Sequence, residues 1–238
     1  MKTFTTLVLS FFSFYSLLQG QNVYKTSDSK WLLSYTLGIP IAIGNFSSED
    51  ILNSEAGFAG GGLGTALSLD YKYKSSKLGI SAGILSQVNI FKSNSYQREV
   101  LRNYGENWLI YGNMYNRIGY LIGLNYSEAL SKNSQLKIRG MFGPTLNTSP
   151  QIFNYQSSNQ WFLQNSMSDV AFGYSIGAVI QRKISKKLDF NFDMHFLGSR
   201  PRFTEIDYYF SNGDIEYYDK TIPFTTISLN AGISYRIH

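Results

Sequence analysis

After residue 22 the chain is written in eight runs in which every second residue is apolar, joined by connections that alternate between very short and very long. Successive side chains of a strand point to opposite faces, so a period of two means a strand with two unlike faces. The first run sets Trp31, Leu33, Tyr35, Leu37, Ile39, Ile41 and Ile43 against Leu32, Ser34, Thr36, Gly38, Pro40 and Ala42. The second sets Leu63, Thr65, Leu67, Leu69, Tyr71 and Tyr73 against Gly64, Ala66, Ser68, Asp70, Lys72 and Lys74. Similar runs begin near Leu78, Met114, Leu136, Val170, Leu188 and Ile227, the one from Leu136 being the least regular. Eight is an even number, as a closed antiparallel barrel with both ends on one side requires.

Each run is about 10 to 16 residues, longer than the 5 or 6 usual in globular proteins and enough for the roughly 9 to 11 tilted residues that cross a bilayer. Alternation alone does not say which face is outside, since a soluble eight-stranded barrel also alternates. The second face decides it. It is crowded with Gly38, Gly64, Gly79, Gly83, Gly119, Gly123, Gly173, Gly177 and Gly232. Small residues suit the lumen of an eight-stranded barrel, which is just wide enough for side chains to fill. The apolar face then looks toward lipid, where a midplane Arg or Lys costs about 2 to 4 kcal/mol. Its only charges, Glu128 and Arg182, lie at strand ends. The expected fold is all-β, an eight-stranded antiparallel transmembrane up-and-down β-barrel.

Short polar links at 75–77, 131–134 and 185–187 alternate with long ones near 44–61, 92–112, 147–169 and 199–222. Tight periplasmic turns and large outer loops are written this way, which puts the N- and C-termini in the periplasm. Proline cannot donate to a ladder, and a closed barrel has no edge to shelter it. Pro40, Pro144, Pro150, Pro201 and Pro223 all fall in the long loops or at outer strand ends. Trp31, Tyr71, Tyr73, Tyr126, Phe190 and Tyr235 at one level, and Phe142, Phe172, Phe196 and Phe224 at the other, read as two interfacial girdles.

Residues 1–20 carry Lys2, an apolar run from Leu7 to Leu18 and a small end, Gln19-Gly20, which is the layout of a secretory signal peptide. About 12 apolar residues are too few for a transmembrane helix. Residues 21–238 then form the barrel. There is no cysteine, so lipoprotein anchoring, disulfides and thiol chemistry are excluded. The net charge of +5 does not point to nucleic acid, because Lys72, Lys74, Lys77, Lys132, Lys183, Lys186 and Lys187 gather at the turn end while the first and last long loops lean acidic. A solvated rim is the plain reading.

These eight runs, the leader, the polar turns and a last run ending Ile233-Ser234-Tyr235-Arg236-Ile237-His238 resemble the small outer-membrane β-barrel proteins of Gram-negative bacteria, the OmpA/OmpX-like type. The abundance of Tyr, Asn and Gly looks like the outer-membrane β-barrel domain proteins of Bacteroidota. The resemblance implies contact with outer-membrane lipid and lipopolysaccharide, and assembly by the barrel-assembly machinery. That machinery reads an aromatic last residue in the family, where this chain has His238.

Inside the barrel the alternation gathers Asp70, Arg117, Lys137, Arg139, Asp189, Asp193, His195 and Arg236. Buried charges need partners, so a mutually compensating plug is the first reading, and a narrow pore or ligand cavity the second. A lipid A-modifying enzyme would need a His, a Ser and a carboxylate. Asp193, His195 and Ser199 share one face, but neighbours at i and i+2 are about 6.5 Å apart, and no motif of such enzymes is visible. Two histidines without ligand spacing give no metal site, and Asp207, Asp214 and Asp219 lack the spacing of a calcium loop. No cofactor is expected.

The last long loop reads differently. Asn212-Gly213 between two β-prone runs is the strongest short-range hairpin signal, so a 203–220 hairpin is expected to extend beyond the membrane. Its Tyr208, Tyr209, Phe210, Tyr217 and Tyr218 form a candidate surface for an extracellular protein or glycan ligand, or a sheet edge for a partner. They could equally pack on the aromatic-bearing loops 96–104 and 153–162. The functional expectation is a non-enzymatic integral barrel whose loops bind or adhere, or which has a structural role in the membrane, with a small passive channel as the alternative.

Overall fold

A computed structural model describes residues 31–72, 76–156 and 160–237. The expected leader at 1–20 lies outside the described residues, as do Tyr73, Lys74 and His238.

The alternating runs become β1 (Trp31–Ala42), β2 (Ala59–Lys72), β3 (Leu78–Phe91), β5 (Met114–Ser131), β6 (Ser134–Thr148), β9 (Ser168–Lys183), β10 (Leu188–Ser199) and β13 (Phe224–Ile237). They close into an antiparallel barrel in the order β1-β13-β10-β9-β6-β5-β3-β2. The β1–β13 seam runs in unbroken register from Trp31 opposite Ile237 to Ala42 opposite Thr226.

The two faces invert the pattern of a soluble protein. Ile39, Ile122 and Phe172 are 56%, 55% and 66% exposed, while Ser81, Ser234 and Thr226 are fully buried. Large exposed apolar belts of this kind mark surfaces made for an apolar partner, and here the belt surrounds the whole barrel.

Trp31, Tyr126, Phe190 and Tyr235 stand exposed near the turn end, and Phe142 and Phe172 nearer the loop end. Phe224 corrects the expected girdle. It shares parity with Thr226 and Ser228, points inward, is 1% exposed and stacks on Phe46 at 4.6 Å.

Pro40 and Pro144 lie within strands, and the ladder lapses beside each. The β1–β2 pairing skips from Gly38 opposite Gly64 to Ile41 opposite Gly61, and the β5–β6 pairing skips from Gly119 opposite Thr145 to Ile122 opposite Phe142. A residue without an N–H cannot fill both sides of a central strand.

The long loops fold over the mouth. Helix α1 (Ser93–Tyr104) ends at Gly105, whose φ of 71° is the left-handed cap that favours glycine. Five further strands, β4 (Leu109–Gly112), β7 (Ile152–Gln156), β8 (Gln160–Gln164), β11 (Arg202–Phe210) and β12 (Ile215–Thr221), form a second sheet in the order β12-β11-β8-β7-β4. Beneath it Phe46, Phe58, Phe91, Tyr115, Phe203 and Phe224 form one buried aromatic core.

Candidate functional site

Strand β10 shows how the lumen is filled. Its inward residues run Asp189, Asn191, Asp193, His195, Leu197, Ser199, one every roughly 6.6 Å.

Nearest the turn end, Arg236 holds Asp189 with three hydrogen bonds of 2.7, 2.9 and 3.0 Å. Beside it Ser34 and Ser234 hydroxyls meet at 2.6 Å, and Gln181 donates to Asn191 Oδ1 at 3.1 Å. Lys137 Nζ reaches Asp70 Oδ2 at 2.5 Å, and Ser81 donates to the other oxygen of Asp70. Arg139 Nη2 donates to Asp193 Oδ2 at 2.5 Å. Three of the inward carboxylates are thus each matched with a cation, as charges out of water require.

Asp193 also takes His195. Nδ1 of the ring lies 3.2 Å from Oδ1, closer than backbone spacing along the strand suggests, because both side chains lean together. Among the described residues Nε2 of His195 meets no partner, and the residue borders a cavity of about 30 Å³ lined also by Arg139, Asp193, Ser68 and Ser175. That is room for a water or two. Ser199 is not part of this group; it donates to Asn147 Oδ1 at 2.9 Å.

Arg117 departs from the compensating network. It is 2% exposed and, among the described residues, pairs with no carboxylate, donating instead to Asn147 Oδ1 at 3.3 Å and the Phe224 carbonyl at 2.5 Å, with its guanidinium 5.3 Å from the Phe224 ring. It fastens the aromatic core to the lumen wall.

Between these polar groups lies an apolar layer. Leu85, Leu121 and Leu197 cluster across the barrel with Ala66 and Met141 packed against them. Sequence reasoning misses this layer, although its signal is present, since each leucine stands at inward parity within its strand.

The last loop forms a hairpin. Gly213 N donates to the Phe210 carbonyl at 3.0 Å and Phe210 N to the Asp214 carbonyl at 3.0 Å, with Gly213 at φ 92°, a type I turn closed by a left-handed residue. The five aromatics of 203–220 separate. Tyr208 packs on Phe162 and Tyr218 and donates to Gln164 Oε1 at 2.9 Å. Burial pushes its phenol well above the usual range. Phe210 packs on Phe162, and Tyr209 is half-buried beside Asp207. Tyr217 and Tyr218 remain exposed on β12, with Ile215.

Both aromatic-bearing loops take part in this packing: Tyr208 through Gln164 pairs with β8, and Tyr96 joins the core under the sheet. At the other edge β4 is flanked by α1, as Gly112 N donates to Ser93 Oγ at 3.0 Å. Among the described residues strand β12 pairs with β11 alone. The acids of the loop are held separately: Asp207 accepts from Asn165, Asp214 from Asn212, and Asp219 from Arg202 at 2.9 Å.

No protein-family model matches the sequence, and no curated protein matches it. Solved structures do match over nearly the whole described chain. A major outer membrane protein from Thermus thermophilus is 10% identical, with 89% of this chain and 100% of that one covered and a TM-score of 0.51. Neisserial surface protein A is 8% identical over 87% and 96%, with a TM-score of 0.46. The attachment invasion locus protein Ail of Yersinia pestis is 12% identical over 88% and 97%, with a TM-score of 0.44. The chain shares its fold with the Thermus protein, and its own eight strands close into a β-barrel of outer-membrane type.

Proposed function

We propose that this protein is a non-enzymatic outer-membrane barrel whose closed lumen serves as a rigid post for an extracellular binding sheet, with both termini of the barrel in the periplasm. One observation carries the reading. The lumen is filled by three ion pairs, a leucine layer and an aromatic core, whereas the sheet at the loop end leaves β12 with an edge that is unpaired among the described residues and bears exposed Ile215, Tyr217 and Tyr218.

An unpaired strand edge binds by strand addition, in which main-chain hydrogen bonds give affinity and alternate side chains give selectivity. The partner that fits is an extended protein segment. Its neighbours Glu205, Asp207, Asp214 and Glu216 favour basic side chains in that segment.

The small-channel reading is weaker because the leucine layer and the aromatic core lie in series across the path. A lipid-modifying reading is weaker because His195 faces the enclosed lumen, and its side chain is 13% exposed.

Selection of a displayed random peptide library on the barrel in nanodiscs tests the proposal. Enriched peptides should be extended, rich in Lys or Arg, and lost on the double variant Ile215→Lys/Tyr217→Lys. Peptides that bind the variant equally, or enrichment of glycans alone on an array, would overturn it.

A further inference from the structure

The turn end of the barrel carries an unusual concentration of unmatched cations. Strands β6, β9 and β10 are neighbours in the barrel, so the β5–β6 and β9–β10 turns lie side by side. Lys183 N donates to the Asn133 carbonyl at 2.8 Å, tying one turn to the other, and Arg182 stands opposite Ser134. This brings Lys132, Arg182, Lys183, Lys186 and Lys187 onto one arc of the rim. Among the described residues none of the five has an ion pair. The rim carboxylate at this level, Glu128, is taken by Lys77 at 2.7 Å and by the Tyr126 hydroxyl.

The arc also carries apolar groups that a merely solvated rim would not expose. Ile184, between Lys183 and Ser185 in the turn, is 64% exposed. Leu188 and Phe190 continue from it along the lipid-facing side of β10, and Arg182 sits on that same side, in register with Phe190. Apolar side chains therefore enter the arc from the membrane while ammonium and guanidinium groups crown it. The opposite end of the barrel has the reverse sign, with Glu205, Asp207, Asp214 and Glu216 on the hairpin.

We infer that this arc is a docking surface for anionic phospholipid headgroups, with Ile184, Leu188 and Phe190 against the acyl chains and Lys132, Arg182, Lys183, Lys186 and Lys187 at the phosphates. Each such charge near an anionic membrane surface is worth about fivefold in affinity, and salt weakens it. The arc would hold a shell of anionic lipid at the turn end only, and so help fix which way the barrel sits in the bilayer.

The test uses the whole barrel reconstituted in phosphatidylcholine vesicles, with spin-labelled phosphatidylglycerol or phosphatidylcholine as the probe. The immobilised spectral fraction should show phosphatidylglycerol preferred by about fivefold or more at low salt. The preference should shrink at high salt and vanish in the variant with Lys132, Arg182, Lys183, Lys186 and Lys187 all changed to Gln. Heat-modifiable migration reports whether that variant folds; if it does not, the double variant Lys186→Gln/Lys187→Gln should lose part of the preference. Neutralising the loop end with Arg98→Gln/Arg102→Gln should leave it unchanged. No preference, a preference that survives neutralisation, or one erased by millimolar inorganic phosphate at constant ionic strength would overturn the inference, the last by showing that the arc takes free phosphate.

Discussion

Arg236 of β13 grips the Asp189 carboxylate of neighbouring β10 from two nitrogens, with both groups buried at the turn end of the lumen. Removing one partner of such a pair leaves a charge out of water, at about 3–5 kcal/mol. Arg236→Met should therefore lower barrel stability by that amount, read as the urea midpoint in detergent micelles. The joint variant Asp189→Leu/Arg236→Met removes both charges and should recover most of the loss. If the joint variant is as unstable as the single one, the pair is not the cause.

Two glycines of neighbouring strands give a sharp steric contrast. A Cβ at Gly123 would lie 1.9 Å from the Gly140 carbonyl oxygen and 2.6 Å from Met141 Cα, all backbone, whereas a Cβ at Gly140 meets nothing within 4 Å. Gly123→Ala should cost about 1–3 kcal/mol, the usual range for overpacking, and slow folding into lipid vesicles. Gly140→Ala should be close to neutral. Equal effects at the two positions would contradict the β5–β6 register, which sets Gly123 opposite Met141.

A closed lumen has an electrical signature. Planar bilayers containing the wild-type barrel should show no single-channel steps. Thinning the apolar layer with Leu121→Ala/Leu197→Ala lets water approach the polar groups on either side, at a stability cost of about 2–5 kcal/mol for each leucine. Steps that appear in the variant would identify this layer as the seal. Steady conductance in the wild type would instead favour the channel reading.

Most of the barrel is legible in the sequence because lipid outside and polar lumen inside impose a strict period of two on strands such as β1 and β5. What escapes has physical causes. Phe224 reads as lipid-facing from its aromatic type, though parity with Thr226 turns it inward. Leu85, Leu121 and Leu197 hide because apolar residues at inward positions look like noise in an alternating pattern. Helix α1 is polar, and only Tyr96 and Val100 turn from it toward the core, a stripe too short to announce a helix. The short strands β4, β7 and β8 have no length in which a period can show. The hairpin is readable because Asn212-Gly213 makes its turn locally. The lean of His195 onto Asp193 depends on rotamers that no spacing rule supplies.

Acid should loosen the hairpin at one place. Glu205 sits at φ 54°, a left-handed conformation that a non-glycine residue holds only with support. The support is Asp219, which accepts a hydrogen bond from Arg202 at 2.9 Å and from the Glu205 N–H at 3.1 Å. The Arg202 hydrogen bond, with that of the Glu205 amide, holds the Asp219 carboxyl below the usual carboxylate range. A lowered folded-state value means that the contribution is fully present above the unfolded value, about 3.9, and is lost as pH falls through the folded one. Asp219 is half exposed, so the effect is small and screened by salt. The amide signal of Glu205 should shift with a midpoint below about 3.9, and Asp219→Asn should remove that titration and raise amide exchange at neutral pH. A midpoint at or above the ordinary aspartate value would mean that Asp219 does not hold the left-handed backbone at Glu205.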